Sequence, residues 1–480
     1  MGHHAYAHPP ARAQRSRVTA KLRMRAASAA ISIRPFPIAC DPLGLVQRFP
    51  GRYPALLESG SQPHLGGEAT FDILPIASGE LLELTQRELA GPHASSPRFL
   101  DAMEAWWDEL RAPSLRRPTS SLPFVGGWLM YLSYEIAAEV ETRLRLPRCV
   151  DPLLALAIRA PAAWIRDRRR NRAYLIAESG YETLTADFER DARRARNLEI
   201  RCPSAVAMEE EKPEKFLAAV EKALDYIAMG DVYQVNLSRV WQGESTVDVP
   251  PAGLFKTLRT ANPSPFAALL RHKDFAVISS SPERLLSIRD RSVSTRPIAG
   301  TRPRGATVLE DNELVRALLD NEKERAEHVM LIDLERNDLG RVCRGGTVRV
   351  DQYMGVETYA HVHHIVSSIS GELRDDCTPI SALRALFPGG TITGCPKIRC
   401  MEIIGELEAR GRGAYTGSVG YLNRDGSCDF NILIRTITLR GTVVQFRAGA
   451  GIVADSNASQ ELDETRAKAK GLLNALEGTA

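Results

Sequence analysis

The sequence predicts an α+β fold, with large antiparallel sheets packed against helices, and three observations lead to this prediction. Short β-branched and aromatic runs are joined by tight turns, such as Asp-Gly at 425–426 and Arg-Gly at 440–441. Long amphipathic segments at 215–229, 309–339 and 460–476 separate the clusters of strands. The regular strand-helix alternation of a doubly wound parallel sheet is missing.

Composition sets the broad class of the protein. With 480 residues, 44% of them hydrophobic, the chain is long enough for two or three structural units or for one large interleaved core. The formal net charge is +3, and six cations lie within residues 12–25, so the rest of the chain is mildly acidic. This balance argues against a nucleic-acid binder. Because no apolar run reaches the roughly 18 residues of a membrane helix, we expect no membrane partner. The eight cysteines form no C-x-x-C pair, which predicts reduced thiols and a cytoplasmic location.

The composition also divides the chain into regions. Residues 1–30 are rich in Arg and Ala and contain no acid, so we interpret them as a disordered basic extension, with an organelle transit peptide as the alternative. Residues 31–190 form an N-terminal region, in which 124–135 reads as a buried strand entering a helix. After a linker at 203–213, a second region spans 211–476.

The second region predicts a definite order of elements. A helix at 215–229 precedes a strand at 232–241, and 309–339 is a long helical stretch with possible breaks. Strands are predicted at 275–288 and 293–298, joined by a turn at 289–291, and at 415–453, before a final helix at 460–476.

Two pairs of glutamates share one helical spacing. Glu324 and Glu327 lie three residues apart, as do Glu461 and Glu464, so each pair projects from one helical face. Two such faces suit Mg²⁺, which takes one or two carboxylates and completes its shell with water and ligand oxygens. Lys468, one turn beyond Glu464, would offset the remaining negative charge. Taken singly, such pairs are more often solvated surface glutamates.

Three glycine-rich turns next to basic residues form a second pattern. They are Pro-Ile-Ala-Gly-Thr at 297–301, Phe-Pro-Gly-Gly-Thr-Ile-Thr-Gly at 387–394 and Arg-Ala-Gly-Ala-Gly-Ile-Val at 447–453. Exposed backbone N–H groups in such turns bind carboxylates or phosphates, and Arg435 offers a bidentate clamp. Each turn taken alone is equally well explained as a tight turn, and none matches a P-loop or dinucleotide fingerprint.

Five ordered motifs carry a family resemblance. They are Tyr-Gln-Val-Asn-Leu-Ser-Arg at 233–239, Ser-Ser-Pro-Glu at 280–283, Glu-His-Val-Met-Leu-Ile-Asp-Leu-Glu-Arg-Asn-Asp at 327–338, Gly-Cys-Pro-Lys-Ile-Arg at 394–399 and Gln-Glu-Leu-Asp-Glu-Thr-Arg-Ala-Lys at 460–468. Together they resemble the chorismate-utilising enzymes, densely over 215–476 and more weakly over 41–141. Within that family the chain is most similar to aminodeoxychorismate synthase component I, with anthranilate synthase component I as a near relative.

The resemblance implies a site for chorismate, a small dicarboxylate. Mg²⁺ would be held through Glu327 and Glu464, with Glu324 and Glu461 as further ligands through water. Glu283 would be the general acid for the C4 hydroxyl. His364 would lie beside Glu283, although a histidine in a group of three at 361–364 is by itself more often structural. Lys468 would complete the catalytic set with Gln234. The remaining substrate-binding residues implied are Gly300, Thr301, Thr391, Tyr415, Arg435 and Gly451.

Gln234 indicates the nucleophile. Relatives that add water to chorismate carry a lysine there as a base, whereas ammonia needs no base, so a neutral Gln234 implies an ammonia-using enzyme. Ammonia would come from a glutamine amidotransferase, expected as a separate subunit because the family motifs fill the chain to residue 476.

Two ammonia-using activities remain open. Asn236 and the 387–394 turn resemble the aminodeoxychorismate type, which aminates C4. Ala299 resembles the anthranilate type, which aminates C2 and releases pyruvate, because the best-known aminodeoxychorismate synthases place a nucleophilic lysine there. An inactive paralogue is disfavoured, since Glu283, Glu327, Glu464 and Lys468 are all present. Leu-Leu-Glu-Ser at 56–59 further suggests an amino-acid effector site, with core packing and a turn as the simpler explanation.

Overall fold

A computed structural model describes most of the chain. The described residues are 30–37, 41–60, 70–112, 122–202, 205–358 and 362–477. The predicted basic extension, except residue 30, and most of the proline-rich stretch at 112–123 lie outside these ranges, so the structure does not test them.

The described elements are numbered along the chain. The strands are β1 (Ile31–Phe36), β2 (Ala55–Glu58), β3 (Phe71–Ile76), β4 (Leu81–Thr85), β5 (Leu89–Ala90), β6 (Gly127–Leu132), β7 (Leu153–Ala160), β8 (Ala162–Asp167), β9 (Arg172–Glu178), β10 (Glu209–Glu210), β11 (Gln234–Glu244), β12 (Phe266–His272), β13 (Phe275–Ser281), β14 (Arg284–Arg289), β15 (Ser292–Arg296), β16 (Ile298–Pro303), β17 (Arg349–Thr358), β18 (Val362–Glu372), β19 (Gly394–Cys395), β20 (Ser418–Asn423), β21 (Cys428–Asn431), β22 (Thr436–Arg440) and β23 (Val443–Ile452). The α-helices are α1 (Leu43–Arg48), α2 (Phe99–Leu110), α3 (Ala137–Val140), α4 (Glu182–Ala195), α5 (Pro213–Ala228), α6 (Pro251–Ala261), α7 (Val308–Asp320), α8 (Glu322–Gly340), α9 (Pro379–Leu386), α10 (Lys397–Glu408) and α11 (Ala458–Glu477), and short 3₁₀ turns occur at Tyr134–Ile136 and Gly390–Ile392.

The strands form two large sheets. The first has the order β1-β9-β8-β3-β2-β12-β13-β22-β23-β11-β10, with β19 added to β11, and the second has the order β16-β18-β15-β14-β21-β20-β6-β7-β4-β5, with β17 added to β18. The ladders between named strands are antiparallel. The predicted α+β class with large antiparallel sheets is therefore confirmed.

The alternating directions of the side chains along β6 show how the layers pack. Leu129 and Tyr131 point into a cluster shared with Leu270 and Val277 of the first sheet. The intervening side chains, such as Trp128, join a second cluster with α2 and α9. Because successive side chains of a strand face opposite sides, one face of the second sheet packs on the first sheet and the other packs on helices.

Both sheets contain strands from the two sequence regions. In the first sheet β2 pairs with β12, and in the second β6 pairs with β20. Because each sheet is continuous across the predicted boundary, the sheets do not test the limits of the two regions. Those limits stay a prediction.

Most predicted elements of the second region are present. The stretch 309–339 is broken at Asn321 into α7 and α8, and 275–288 divides into β13 and β14, which belong to different sheets. The predicted linker contains β10 and leads directly into α5. No helix in the described ranges is long and apolar enough to cross a membrane. The seven cysteines that are described are free thiols.

Candidate active site

Glu283 lies where the chain passes from β13 in the first sheet to β14 in the second. Its backbone N–H donates to Ser281 Oγ (3.2 Å), and Thr391 Oγ1 donates to Glu283 Oε1 (2.8 Å). Only 4% of the residue is exposed, and burial raises the pKa of the carboxyl to about 8. The carboxyl is therefore largely protonated at neutral pH, the state that a general acid needs.

A second buried acid, Glu335 of α8, lies close to this carboxyl. Glu335 Oε1 accepts from the N–H of Gly390 (3.2 Å), the residue before Thr391, and its negative charge adds to the rise in the pKa of Glu283. Burial raises the pKa of Glu335 itself to about 7. Sequence reasoning missed this residue. Its position was a usable signal, because Glu335 follows Glu324 by 11 residues, three helical turns, on the same helical face.

His364 on β18 faces Thr301 on β16. Its Nδ1 lies 2.9 Å from Thr301 Oγ1 and 3.2 Å from the carbonyl oxygen of Gly300. Because that carbonyl can only accept, we assign the ring proton to Nδ1 and the basic lone pair to Nε2. Burial, together with the positive charge of Arg435, lowers the pKa of His364 to about 3. The ring is thus neutral at physiological pH and suits hydrogen bonding to a hydroxyl.

Gly300 connects this strand to the first glutamate pair. It forms a bulge between Ala299 and Thr301 with φ +64°, and a Cβ on it would lie 2.3 Å from Glu324 Oε2. Glu324 is in the first turn of α8, and its Oε1 pairs with Arg302 Nη1 (2.6 Å). Glu324 Oε2 is buried and makes no hydrogen bond within the described part of the chain.

The second pair lies in α11, which packs on β23. Glu461 is buried and accepts from Ser456 Oγ (2.6 Å), while Glu464 forms an ion pair with Lys468 (2.6 Å). Lys468 Nζ also donates to the carbonyl oxygen of Gly449 (3.0 Å). Lys468 thus pairs directly with Glu464, and its role in offsetting the charge of a metal site stays a prediction.

The fit of these glutamates to Mg²⁺ rests on the chemistry of their oxygens. Carboxylates are the hard donors that Mg²⁺ prefers, and the buried Glu324 Oε2 has no competing donor. Within the described ranges, however, no three His, Cys, Asp or Glu side chains converge as in a preformed metal cage. An ion that takes only one or two carboxylates does not require such a cage. The residues fit Mg²⁺, and its binding stays a prediction.

The residues predicted to hold the substrate frame the same region. Gln234 begins β11, and a Cβ on Gly451 of the neighbouring β23 would lie 2.3 Å from Gln234 Nε2. A Cβ on Gly449 would likewise lie 2.7 Å from the hydroxyl of Tyr415. Glycine at these two positions thus lets the side chains of Gln234 and Tyr415 lie directly against β23.

Electrostatic coupling links these groups. The charge of Lys468 lowers the pKa of both Glu283 and His364, and the charge of Arg435 lowers that of His364. These predicted residues therefore share one electrostatic environment. Glu327 lies one turn after Glu324 on α8.

A buried arginine that the sequence analysis missed joins the walls of this region. Arg412 Nη2 donates to the carbonyl oxygen of Asn236 (2.7 Å), and Nη1 donates to that of Ile392 (3.0 Å). Glu408 neutralises Arg412 through two hydrogen bonds (2.7 and 3.1 Å). Arg412 thereby fixes β11 to the turn that carries Thr391.

A cavity of about 270 Å³ lies at the predicted effector motif and is not lined by the predicted catalytic residues. Its walls include Leu57, Glu58, Ser59, Phe266 and Tyr421. Leu56 itself is fully buried, in line with the core explanation. The effector role stays a prediction.

Fold and site together show two antiparallel sheets, a buried carboxyl with a raised pKa, a neutral histidine and nearby cations, an arrangement typical of an enzyme that acts on an anionic substrate. Comparison with known proteins agrees with this class. The sequence model of the chorismate binding enzyme family matches residues 67–474, and the chain belongs to that family. It is a chorismate-utilising enzyme, as the motifs predicted.

Relatives with two different activities are similarly close. Aminodeoxychorismate synthase component 1 of Bacillus subtilis is 44% identical over 369 residues, covering 74% of this chain and 77% of the relative. Anthranilate synthase component 1 of Thermus thermophilus is 41% identical over 388 residues, covering 78% and 83%. The crystal structure of anthranilate synthase component I from Streptococcus pneumoniae superposes with a TM-score of 0.75 at 32% identity, over 84% of this chain and 92% of that one.

Proposed function

We propose that this chain is an aminodeoxychorismate synthase component I, which replaces the C4 hydroxyl of chorismate with an amino group for 4-aminobenzoate and folate synthesis. In this proposal a glutamine amidotransferase subunit supplies ammonia in the cytoplasm. Gln234 is the observation that carries the amination, because this neutral, buried side chain offers no base to activate water. Asn236 and the turn at 387–394, which resemble the aminodeoxychorismate type, favour attack at C4. The component 1 relatives of both types are consistent with a partner subunit.

The proposed reaction balances with the groups at the site. The lone pair of ammonia forms the C–N bond as the C4–O bond breaks, and the protonated Glu283 gives its proton to the departing hydroxyl, which leaves as water. The new ammonium group then returns one proton to the Glu283 carboxylate. His364, held neutral by burial, orients the hydroxyl, while Arg435 and Tyr415 bind the enolpyruvyl carboxylate.

Mg²⁺ would be held by Glu327 and Glu464, with Glu324 and Glu461 as further ligands through water. When bound, it would neutralise the ring carboxylate and polarise the ring for loss of the hydroxyl. Lys468 limits the negative charge that these glutamates gather.

Anthranilate synthase component I is the second candidate, and Ala299 favours it. Ala299 on β16 pairs with Ile365 and provides no amine for covalent attack on C2. Our proposal therefore uses direct attack by ammonia and no enzyme-bound intermediate.

Product identification separates the candidates. The purified protein is incubated with chorismate, Mg²⁺ and an ammonium salt, and the products are resolved by chromatography. We expect a 4-amino product that a lyase converts to 4-aminobenzoate. Fluorescent anthranilate would overturn the proposal in favour of the second candidate. The variant Glu464→Gln tests the metal assignment, because it should abolish Mg²⁺-dependent consumption of chorismate, and unchanged turnover would contradict it.

A further inference from the structure

Two side-chain amides on β11 are buried without complete hydrogen bonding. Gln234 and Asn236 are 5% and 8% exposed. Gln234 Oε1 and Asn236 Oδ1 are both inaccessible and have no hydrogen-bond partner among the described residues. A buried carbonyl oxygen without a donor is costly, typically by about 1–3 kcal/mol, so two of them on one strand call for an explanation.

The two amides share one face of the strand. Residues two apart in a strand point to the same side. The intervening Val235 and the following Leu237 point the other way, into the apolar cluster beneath α5 and α10. Gln234 and Asn236 therefore face away from the helices, towards the predicted substrate region.

The backbone around Asn236 is held in place from both sides. Its N–H donates to the carbonyl oxygen of Thr393 (2.9 Å), and its carbonyl oxygen accepts from Arg412 (2.7 Å). Arg412 also binds Ile392, the neighbour of Thr391, which donates to Glu283. Asn236 is thus fixed relative to the turn that holds the proposed general acid.

We propose that Gln234 and Asn236 form an ammonia-binding site, in which their two side-chain oxygens accept hydrogen bonds from the nucleophile. Two carbonyl acceptors hold two N–H bonds of ammonia and leave its lone pair directed at the substrate carbon. Water donates only two hydrogens and needs a base for attack, which neither amide supplies. This inference rests on the proposed amination and adds Asn236 as a positioning residue.

The test compares the Michaelis constant for ammonium with that for chorismate. Asn236→Leu keeps the branched shape of the side chain, although it is larger, and removes the acceptor. We expect it to raise the ammonium KM about fivefold, the typical net effect of one lost hydrogen bond, without changing the chorismate KM. Asn236→Asp keeps an acceptor oxygen, and its ammonium KM should stay within about threefold of the wild-type value. If the leucine variant does not fold, Asn236→Ala replaces it.

Ser238 provides the matched control. It is the next residue on the same strand face, and its hydroxyl already bonds Glu408 and Arg447. Ser238→Ala should leave the ammonium KM unchanged.

An unchanged ammonium KM in Asn236→Leu, or equal rises of both KM values, would overturn the ammonia site while leaving the amination itself intact. If the wild-type protein consumes no chorismate with ammonium, the proposed function fails and the ammonia site falls with it.

Discussion

At the scale of single residues, the proton on Glu283 sets the expected pH dependence. A general acid works only when protonated, and the pKa of this buried carboxyl is about 8. We therefore expect kcat/KM for chorismate to fall as the pH rises through about 8, and a pH profile with saturating ammonium measures this. Activity that continues undiminished well above that pH would contradict the role of Glu283.

A substitution of Glu335 tests whether Glu283 causes this fall in kcat/KM at high pH. Its own pKa is about 7, so it is mostly ionised at pH 8, where its charge opposes ionisation of Glu283. Glu335→Gln removes the charge, yet the amide oxygen can still accept from Gly390. The pKa of Glu283 should then be lower, so we expect the fall in kcat/KM to begin at lower pH. Asp333→Asn, an exposed charge on the same helix, is the control and should not move it. If kcat/KM of Glu335→Gln falls at the same pH as that of the wild type, Glu335 does not raise the pKa of Glu283.

At the scale of elements, the bulge in β16 lies against the first turn of α8. Gly300 combines a left-handed φ with direct contact to Glu324. Gly300→Ala adds backbone strain of about 1–2 kcal/mol and also displaces Glu324. Gly441 has a similar φ of +58°, but a Cβ built on it would have nothing within 4 Å, so Gly441→Ala introduces the backbone strain alone.

We therefore expect Gly441→Ala to lower the free energy of unfolding by about 1–2 kcal/mol with normal activity. Gly300→Ala should lower it further and weaken Mg²⁺-dependent turnover. Urea unfolding and steady-state assays measure both quantities. Equal stability and equal activity in the two variants would show that the contact between Gly300 and Glu324 contributes neither to stability nor to turnover.

Sequence periodicity and turn residues predicted several elements of the second region but not their assembly. The Asp-Gly turn at 425–426 and the helix ending near Ala228 follow from local chemistry, and the structure has both. The sheet change between β13 and β14 depends on contacts far apart in sequence, so no local pattern marked it. Arg412 was missed for the same reason, because its partners Asn236 and Ile392 are distant in the chain. Glu283 and His364 were found only through motif resemblance, since their altered pKa values arise from burial.

At the scale of the whole molecule, a buried ion cluster crosses the boundary between the two sequence regions. Glu178 at the end of β9 binds Arg159 of β7 (2.5 Å) and Arg424 in the turn between β20 and β21 (2.8 Å). Glu178 is 2% exposed and pairs with both guanidinium groups, so it compensates their charges inside the protein. With both sheets continuous across the boundary, neither region can lose its strands without exposing the edges of the other.

We therefore expect the protein to unfold as one cooperative unit. Removing one partner of a buried ion cluster leaves uncompensated charge, so Glu178→Ala should destabilise the protein by about 3–5 kcal/mol. Asp333→Ala, which breaks an exposed ion pair with Arg336, should change stability by less than about 1 kcal/mol. In differential scanning calorimetry Glu178→Ala should move a single transition to lower temperature without splitting it, because the cluster joins both regions. Two separate transitions, with only one displaced by the substitution, would show that the regions fold independently despite their shared sheets.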